Sequence, residues 1–245
     1  MRFVLPQIQF DLRLKAILIL WFWASCSSPL PPPSEAEQEI ADAALETLSG
    51  VQVNEILNAF NELSNWAYTR HDHIQNRSAR QYESSKYLIN VDSEGLSVMT
   101  LGPDTAAVTN LSSIVEAIMP EESPHLMERF KDDFSYHMNE DTSYWSYPAH
   151  KIIIKGRPGS TQDIVTASYV YDAASRKLIS ASFHTYSSTI LFEELSYYQI
   201  QLRPTGTAWV PYRLNMHVTL RLPFGQQQVF ARNVTFYNYI ARPTG

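Results

Sequence analysis

One cysteine, Cys26, stands among 245 residues, so no intramolecular disulfide and no cysteine-based metal site can form. Charge is also scarce. Asp, Glu, Lys and Arg make up 18% of the chain, and the formal net charge is −6. It falls to −8 once Met1–Ser25 is removed, because Arg2, Arg13 and Lys15 leave with a single anion, Asp11. An acidic domain without a basic stripe lacks the electrostatic footprint of nucleic-acid binding, so no nucleic-acid partner is expected. The apolar run Ala16–Ala24 rises only about 14 Å as a helix, against a hydrocarbon core of roughly 30 Å, so it is too short to span a bilayer. The sequence contains no Gly-rich phosphate loop, no Gly-x-Ser-x-Gly elbow and no His-Glu-x-x-His. The expectation is a non-enzyme with no cofactor, although a hydrolase with dispersed residues stays open.

Hydrophobic residues are 44% of the chain, with 14 Tyr, 11 Phe and 5 Trp, which is the composition of a packed core and not of a disordered chain. About 220 residues beyond the N-terminal segment suit one large all-β or α+β domain.

That segment has the layout of a secretion signal: Arg2, Arg13 and Lys15, then the apolar run, then small residues at Ala24-Ser25 and the lone Cys26. Small residues before a cysteine resemble the bacterial lipobox, although Trp23 stands where that motif carries an aliphatic residue. The resemblance implies cleavage after Ser25 and acylation of Cys26 with palmitate-type chains. Several chains would hold the protein durably where one would not. A cleaved secretory signal, or a hydrophobic helix with an incidental cysteine, is the alternative. The next eight residues, Ser27-Ser-Pro-Leu-Pro-Pro-Pro-Ser34, favour extended polyproline geometry and would reach roughly 25 Å at about 3.1 Å per residue. Ser27 is not the Asp of the inner-membrane retention rule, which implies an outer-membrane location facing the periplasm. The expected organisation is signal peptide 1–25, Pro-rich tether 26–34 and a single β-rich domain 35–245.

Ser34-x-x-Glu37 has the form of a capping box, which predicts a helix from about Glu35 to Leu48. Val53, Ile56, Leu57, Phe60 and Leu63 follow the i, i+3, i+4, i+7 spacing of an apolar helical stripe. Strand patterns run from Trp66 to Val91, and Asp92–Gly95 turns the chain into Leu96–Leu101. Two mid-chain helices are expected, one with Leu111, Ile114, Val115 and Ile118, the other opened by Pro124 with Met127, Phe130 and Phe134. Strands follow near 149–155, 163–171, 177–186, 189–202, 208–222 and 228–240. The clearest alternation sets Leu214, Met216, Val218, Leu220 and Leu222 against Arg213, Asn215, His217, Thr219 and Arg221.

The stretch Ala167-Ser-Tyr-Val-Tyr-Asp172-Ala-Ala-Ser-Arg-Lys-Leu-Ile179 is similar to the strand-turn-strand of the lipoprotein-carrier superfamily, the LolA/LolB-like proteins. The layout of residues 50 to 240 resembles that superfamily as well. The resemblance implies an α+β fold: a curved antiparallel β-sheet, a half-barrel, covered by N-terminal and mid-chain helices. A cystatin-like helix-on-curved-sheet fold would read almost the same. It further implies an apolar hollow for the acyl chains of a lipid or lipoprotein. The candidate lining is Ile56, Phe60, Leu63, Leu214, Met216, Val218 and Leu220. The alternative is a periplasm-facing scaffold lipoprotein with a packed sheet, no ligand and a protein partner.

Other residues read as structural. His71 and His73 share one face of a strand, as a two-histidine metal site requires, but no third ligand is placed by spacing, so no metal is expected. Glu193 and Glu194 face opposite sides of a strand and cannot act as a paired acid and base without other partners. Asp132-Asp133 reads as a solvated helix end. Tyr197-Tyr198, Tyr144-Trp145 and Tyr237-x-Tyr239 read as core or cross-strand packing before ligand contact.

Overall fold

The computed structural model describes residues 32–50, 54–77, 80–92, 95–100, 124–158, 164–206 and 208–241. The chain divides into two units, Met1–Pro31 and Pro32–Gly245, and every described residue belongs to the second. Cys26 and the stripe at 111–118 lie outside the described residues.

Helix α1, Glu35–Gly50, starts where the capping box placed it. The Glu37 amide donates to Ser34 Oγ at 3.3 Å, and the Ser34 amide donates to Glu37 Oε2 at 2.8 Å. Ala41, Ala44, Leu45 and Leu48 are its buried face, at the spacing of one helical stripe. Helix α2, Asn54–Asn61, continues into a 3-10 turn, Glu62–Asn65, and buries Ile56, Phe60 and Leu63.

Ten strands follow among the described residues: β1 Trp66–Asn76, β2 Gln81–Asp92, β3 Gly95–Thr100, β4 Phe134–Tyr144, β5 Tyr147–Gly156, β6 Ile164–Asp172, β7 Leu178–Ser188, β8 Glu193–Thr205, β9 Ala208–Arg221 and β10 Gln227–Ala241. They form one open, curved antiparallel sheet in the order β3-β2-β1-β10-β9-β8-β7-β6-β5-β4. Consecutive strands are neighbours in the sheet except β3 and β4, which are its two edges because β10 pairs back onto β1. We call lower the end at which β1–β2, β5–β6, β7–β8 and β9–β10 connect, and upper the other.

The mid-chain expectation needs correction. Pro124–Leu126 and Glu128–Asp133 are short 3-10 turns, not an α-helix, and Phe134 opens β4 instead of closing a helical stripe. Asp132 and Asp133 end the second turn. Strand β4 went unrecognised in the sequence because Asn139-Glu-Asp141 breaks its alternation; the pairing register shifts there, between Asn139 and Thr142. Strand β8 starts at Glu193, not at 189, because Thr189–Phe192 is a turn in which the Thr189 amide donates to the Phe192 carbonyl at 2.8 Å.

The sheet has an inner face, which carries the helices, and an outer face. Register puts Tyr136, Ile154, Ala167, Phe183, Tyr198, Met216 and Arg232 in one inner row. Met138, Ile152, Tyr169, Ala181, Ile200, Leu214, Val234 and Asp72 form the next. The core is built on this face: Ile152, Ile154, Ala167, Ala181, Ile200, Leu214, Val234 and Phe236 are all fully buried. The Asp-x-x-Ser turn at 172–175 is present, with Asp172 Oδ2 accepting the Ser175 amide at 2.8 Å.

Candidate functional site

The inner face falls into two parts. Over its upper part, helix α2 and the core strands pack directly: Phe60 meets Phe236 edge-on at 5.8 Å, and Ile56, Phe60, Leu63 and Leu214 belong to one buried cluster. Four of the seven expected lining residues are therefore core. A cleft of about 240 Å³ opens at the margin of this part, lined by Asn58, Ala59, Glu62, Leu202 and Trp209 among others; its walls mix polar and apolar groups.

The lower part differs. Met216, Val218 and Leu220, the other three expected residues, stay on the inner face but are only half-buried. Register sets Val218 between Phe230 of β10 and Ser196 of β8, and Met216 between Arg232 and Tyr198. Phe230, Tyr198 and Ile74 are half-buried too, so a partly open apolar strip crosses β1, β10, β9 and β8; Ile164 of β6, also half-buried, is separated from Val218 by Ser196 and Thr185. The alternation that defined it is kept, since Asn215, His217 and Thr219 point to the outer face, where the Asn215 amide donates to Gln199 Oε1 at 2.9 Å.

Beside this strip lies a charged group that sequence reasoning missed. Arg70 Nε donates to Asp72 Oδ1 at 2.6 Å and its Nη2 to Oδ2 at 2.5 Å; Arg232 Nη2 donates to the same Oδ2 at 2.9 Å. All three residues are buried. Two cations share one anion in low dielectric, and Arg232 Nε has no hydrogen-bond partner. The signal was present: Arg70 and Asp72 are two apart in a strand and so share a face, and Arg232 alternates in phase with Phe230, Val234 and Phe236.

A second unforeseen group fastens the mid-chain turn. His125 is wholly buried; its Nε2 hydrogen-bonds the Tyr169 hydroxyl, and the Tyr136 hydroxyl donates to its carbonyl at 3.0 Å. Its ring also contacts Phe134 and Phe183. Burial among aromatic rings pushes the His125 imidazole down to about 3, so it is neutral at ordinary pH.

The remaining candidates are peripheral. His71 and His73 are exposed on the outer face, with His71 Nε2 at 2.8 Å from Ser84 Oγ, while Asp72 points to the inner face. No group of three metal-type ligands occurs among the described residues. Glu193 pairs with Arg221 at 3.4 Å, whereas Glu194 accepts from Ser196 Oγ at 2.7 Å on the inner side. Tyr239 packs on Trp66 and Tyr68 and donates to the Pro211 carbonyl at 2.6 Å. Tyr144 packs near Trp145 and Trp209, and Tyr197 lies against His184 on the outer face. Tyr237 sits under Lys86. No helix among the described residues is long and apolar enough to cross a membrane.

No protein-family model matches this chain, and no curated protein matches it by sequence. Its structural neighbours are DUF1329, lipoprotein-sorting and LolA superfamily proteins. A DUF1329 family protein from Desulfovibrio piger shares 7% identity over 79% of this chain and 93% of its own, with a TM-score of 0.26. An outer membrane lipoprotein-sorting protein domain from Vibrio parahaemolyticus shares 8% over 84% and 94%, at 0.29. A LolA superfamily protein from Nitrosomonas europaea shares 12% over 80% and 96%, at 0.26. These are distant likenesses of sheet layout and carry no information on ligand or partner.

Proposed function

We propose that this chain is an envelope lipoprotein, anchored through Cys26 and facing the periplasm from the outer membrane, whose domain receives acyl chains of a lipid or lipoprotein without catalysing a reaction. The observation that carries this reading is the half-buried strip of Met216, Val218, Leu220, Phe230, Tyr198 and Ile74 beside a fully packed upper core. Mostly apolar walls with a few convergent polar groups are what a site for an amphiphile requires, and Arg232, with one unpartnered N–H, supplies a polar group at the strip's border. On this reading the acyl chain lies on the lower inner face and not beneath the α2 stripe.

A second reading has an observation of its own. Ile56, Phe60, Leu63 and Leu214 fill the space beneath α2, which favours a packed scaffold that works through a protein partner. Native mass spectrometry of the Cys26→Ser chain purified from the whole cell envelope, soluble fraction included, followed by lipid extraction, separates the two. A co-purifying lipid in near-stoichiometric amount is expected; an empty protein would leave the scaffold reading.

A further inference from the structure

Two hairpin tips at the lower end present large apolar side chains to solvent, with nothing among the described residues packed over them. The β7–β8 turn exposes Ile190 and Leu191 at 100% and 70%, and the β9–β10 turn exposes Phe224 at 101%. The tips are adjacent, because Glu193 and Arg221 pair across β8 and β9 and an open cleft of about 360 Å³ lies between Thr189–Glu193 and Arg221–Pro223. Single exposed hydrophobic residues are ordinary, whereas three wholly or mostly exposed ones on two neighbouring tips form a patch.

Phe224 is also conformationally anomalous. Its φ is +63°, in the left-handed region that a bulky residue rarely adopts and that Asn or Gly fills at no such cost. Trp145 is a useful contrast, with φ +53° and partial exposure. Its ring meets Tyr212 at 5.0 Å and its N–H donates to the Leu202 carbonyl at 3.2 Å, so packing explains its conformation. Nothing comparable among the described residues holds Phe224, whose ring is presented to solvent despite the strain.

The position of this end fits a bilayer. The first turn of α1 lies at the lower end, where Arg157, just beyond β5, donates to Glu37 Oε1 at 3.0 Å. Ser34 opens that helix, and Cys26 is eight residues upstream of it. The β1–β2 turn adds the exposed Arg77 and Arg80, and the Arg77 amide donates to the Val229 carbonyl of β10 at 3.0 Å, which sets these cations at the same end of the sheet as the Phe224 tip. Arg77 and Arg80 at this end suit the anionic headgroups above an acyl region, and Arg221 offsets Glu193 beside the Leu191 tip.

We propose that Ile190, Leu191 and Phe224 form a wedge that inserts into the surface of the lipid bilayer and orients the domain, lower end down, on its membrane. This rests on the reading of Cys26 as the anchor and adds a second, reversible contact. The test uses the full chain reconstituted in phosphatidylethanolamine vesicles containing a phosphatidylglycerol with a diazirine in its acyl chain. Illumination and peptide mapping should place adducts on Ile190, Leu191 and Phe224 at least tenfold above the upper-end turns at 173–176 and 205–206. In the Phe224→Asn variant the adducts on that turn should disappear while thermal stability rises, since Asn suits the left-handed backbone. Adducts confined to residues before Pro32 on floating vesicles would overturn the wedge and leave the anchor standing. A chain that fails to float with the vesicles would overturn both.

Discussion

Arg232 donates to Asp72 across the β1–β10 pair at 2.9 Å, joining two residues 160 positions apart at the seam where the last strand closes onto the first. The same carboxylate holds Arg70, so one buried anion ties two guanidinium groups at this seam. Asp72→Asn should destabilise the domain by about 3–5 kcal/mol in chemical denaturation, because two buried guanidinium groups would lose their shared counter-charge. Replacing all three residues together by Met or Leu should cost far less, since the desolvation of the whole group disappears with it. Equal losses in the single and triple variants would show that packing, and not charge, sets the seam.

Gly156 ends β5 where a side chain has no room. A Cβ there would lie 2.7 Å from the Ile164 carbonyl oxygen of β6, a backbone atom that cannot swing aside. Gly156→Ala should therefore cost about 1–3 kcal/mol by forcing the strands apart. A denaturation midpoint unchanged from wild type would mean that the β5–β6 pair yields freely.

His125 makes stability depend on pH in a defined direction. Its folded-state value lies at about 3, below the ordinary 6.5, so between those limits the unfolded chain binds the proton that the folded chain refuses. Stability contributed by the neutral ring is complete above about pH 6.5. It is lost as pH falls toward 3, at up to about 1.4 kcal/mol per unit. Wild type minus His125→Gln in stability should show this slope between pH 6 and 4. Parallel curves would show that His125 is not the titrating group.

Much of the fold was legible because its periods are local. The Ser34–Glu37 capping box, the α2 stripe and the alternation at 214–220 each depend on neighbours within a few residues, and each element formed where expected. What escaped were long-range facts. Strand β4 hides behind a register shift at Asn139–Thr142, and Phe134 fits a helical stripe as well as a strand. The site was half legible for the same reason: periodicity names the face of Leu214 and Val218 alike, but only the finished tertiary packing decides that Leu214 is sealed and Val218 is not. The Arg70–Asp72–Arg232 group and the His125–Tyr169 contact join residues brought together only by the finished sheet.

That difference between Leu214 and Val218 yields the test of the ligand site. Val218 is half-buried on the inner face and Thr219 follows it on the outer face, so the two positions share a strand and differ in side. Phe60→Asp is a poor probe, because Phe60 is core and its loss would unfold the domain. Val218→Asp instead places a carboxylate in the strip where an acyl chain would lie, and its partial exposure lets the charge stay hydrated in the empty protein. A fluorescent fatty-acid probe should bind the Cys26→Ser chain saturably. Val218→Asp should weaken binding at least tenfold, about 1.4 kcal/mol, while Thr219→Asp leaves it within twofold. Circular dichroism on both variants should show the wild-type β signal. Equal losses at the two positions, or no saturable binding by the parent chain, would remove the acyl-chain reading from this face.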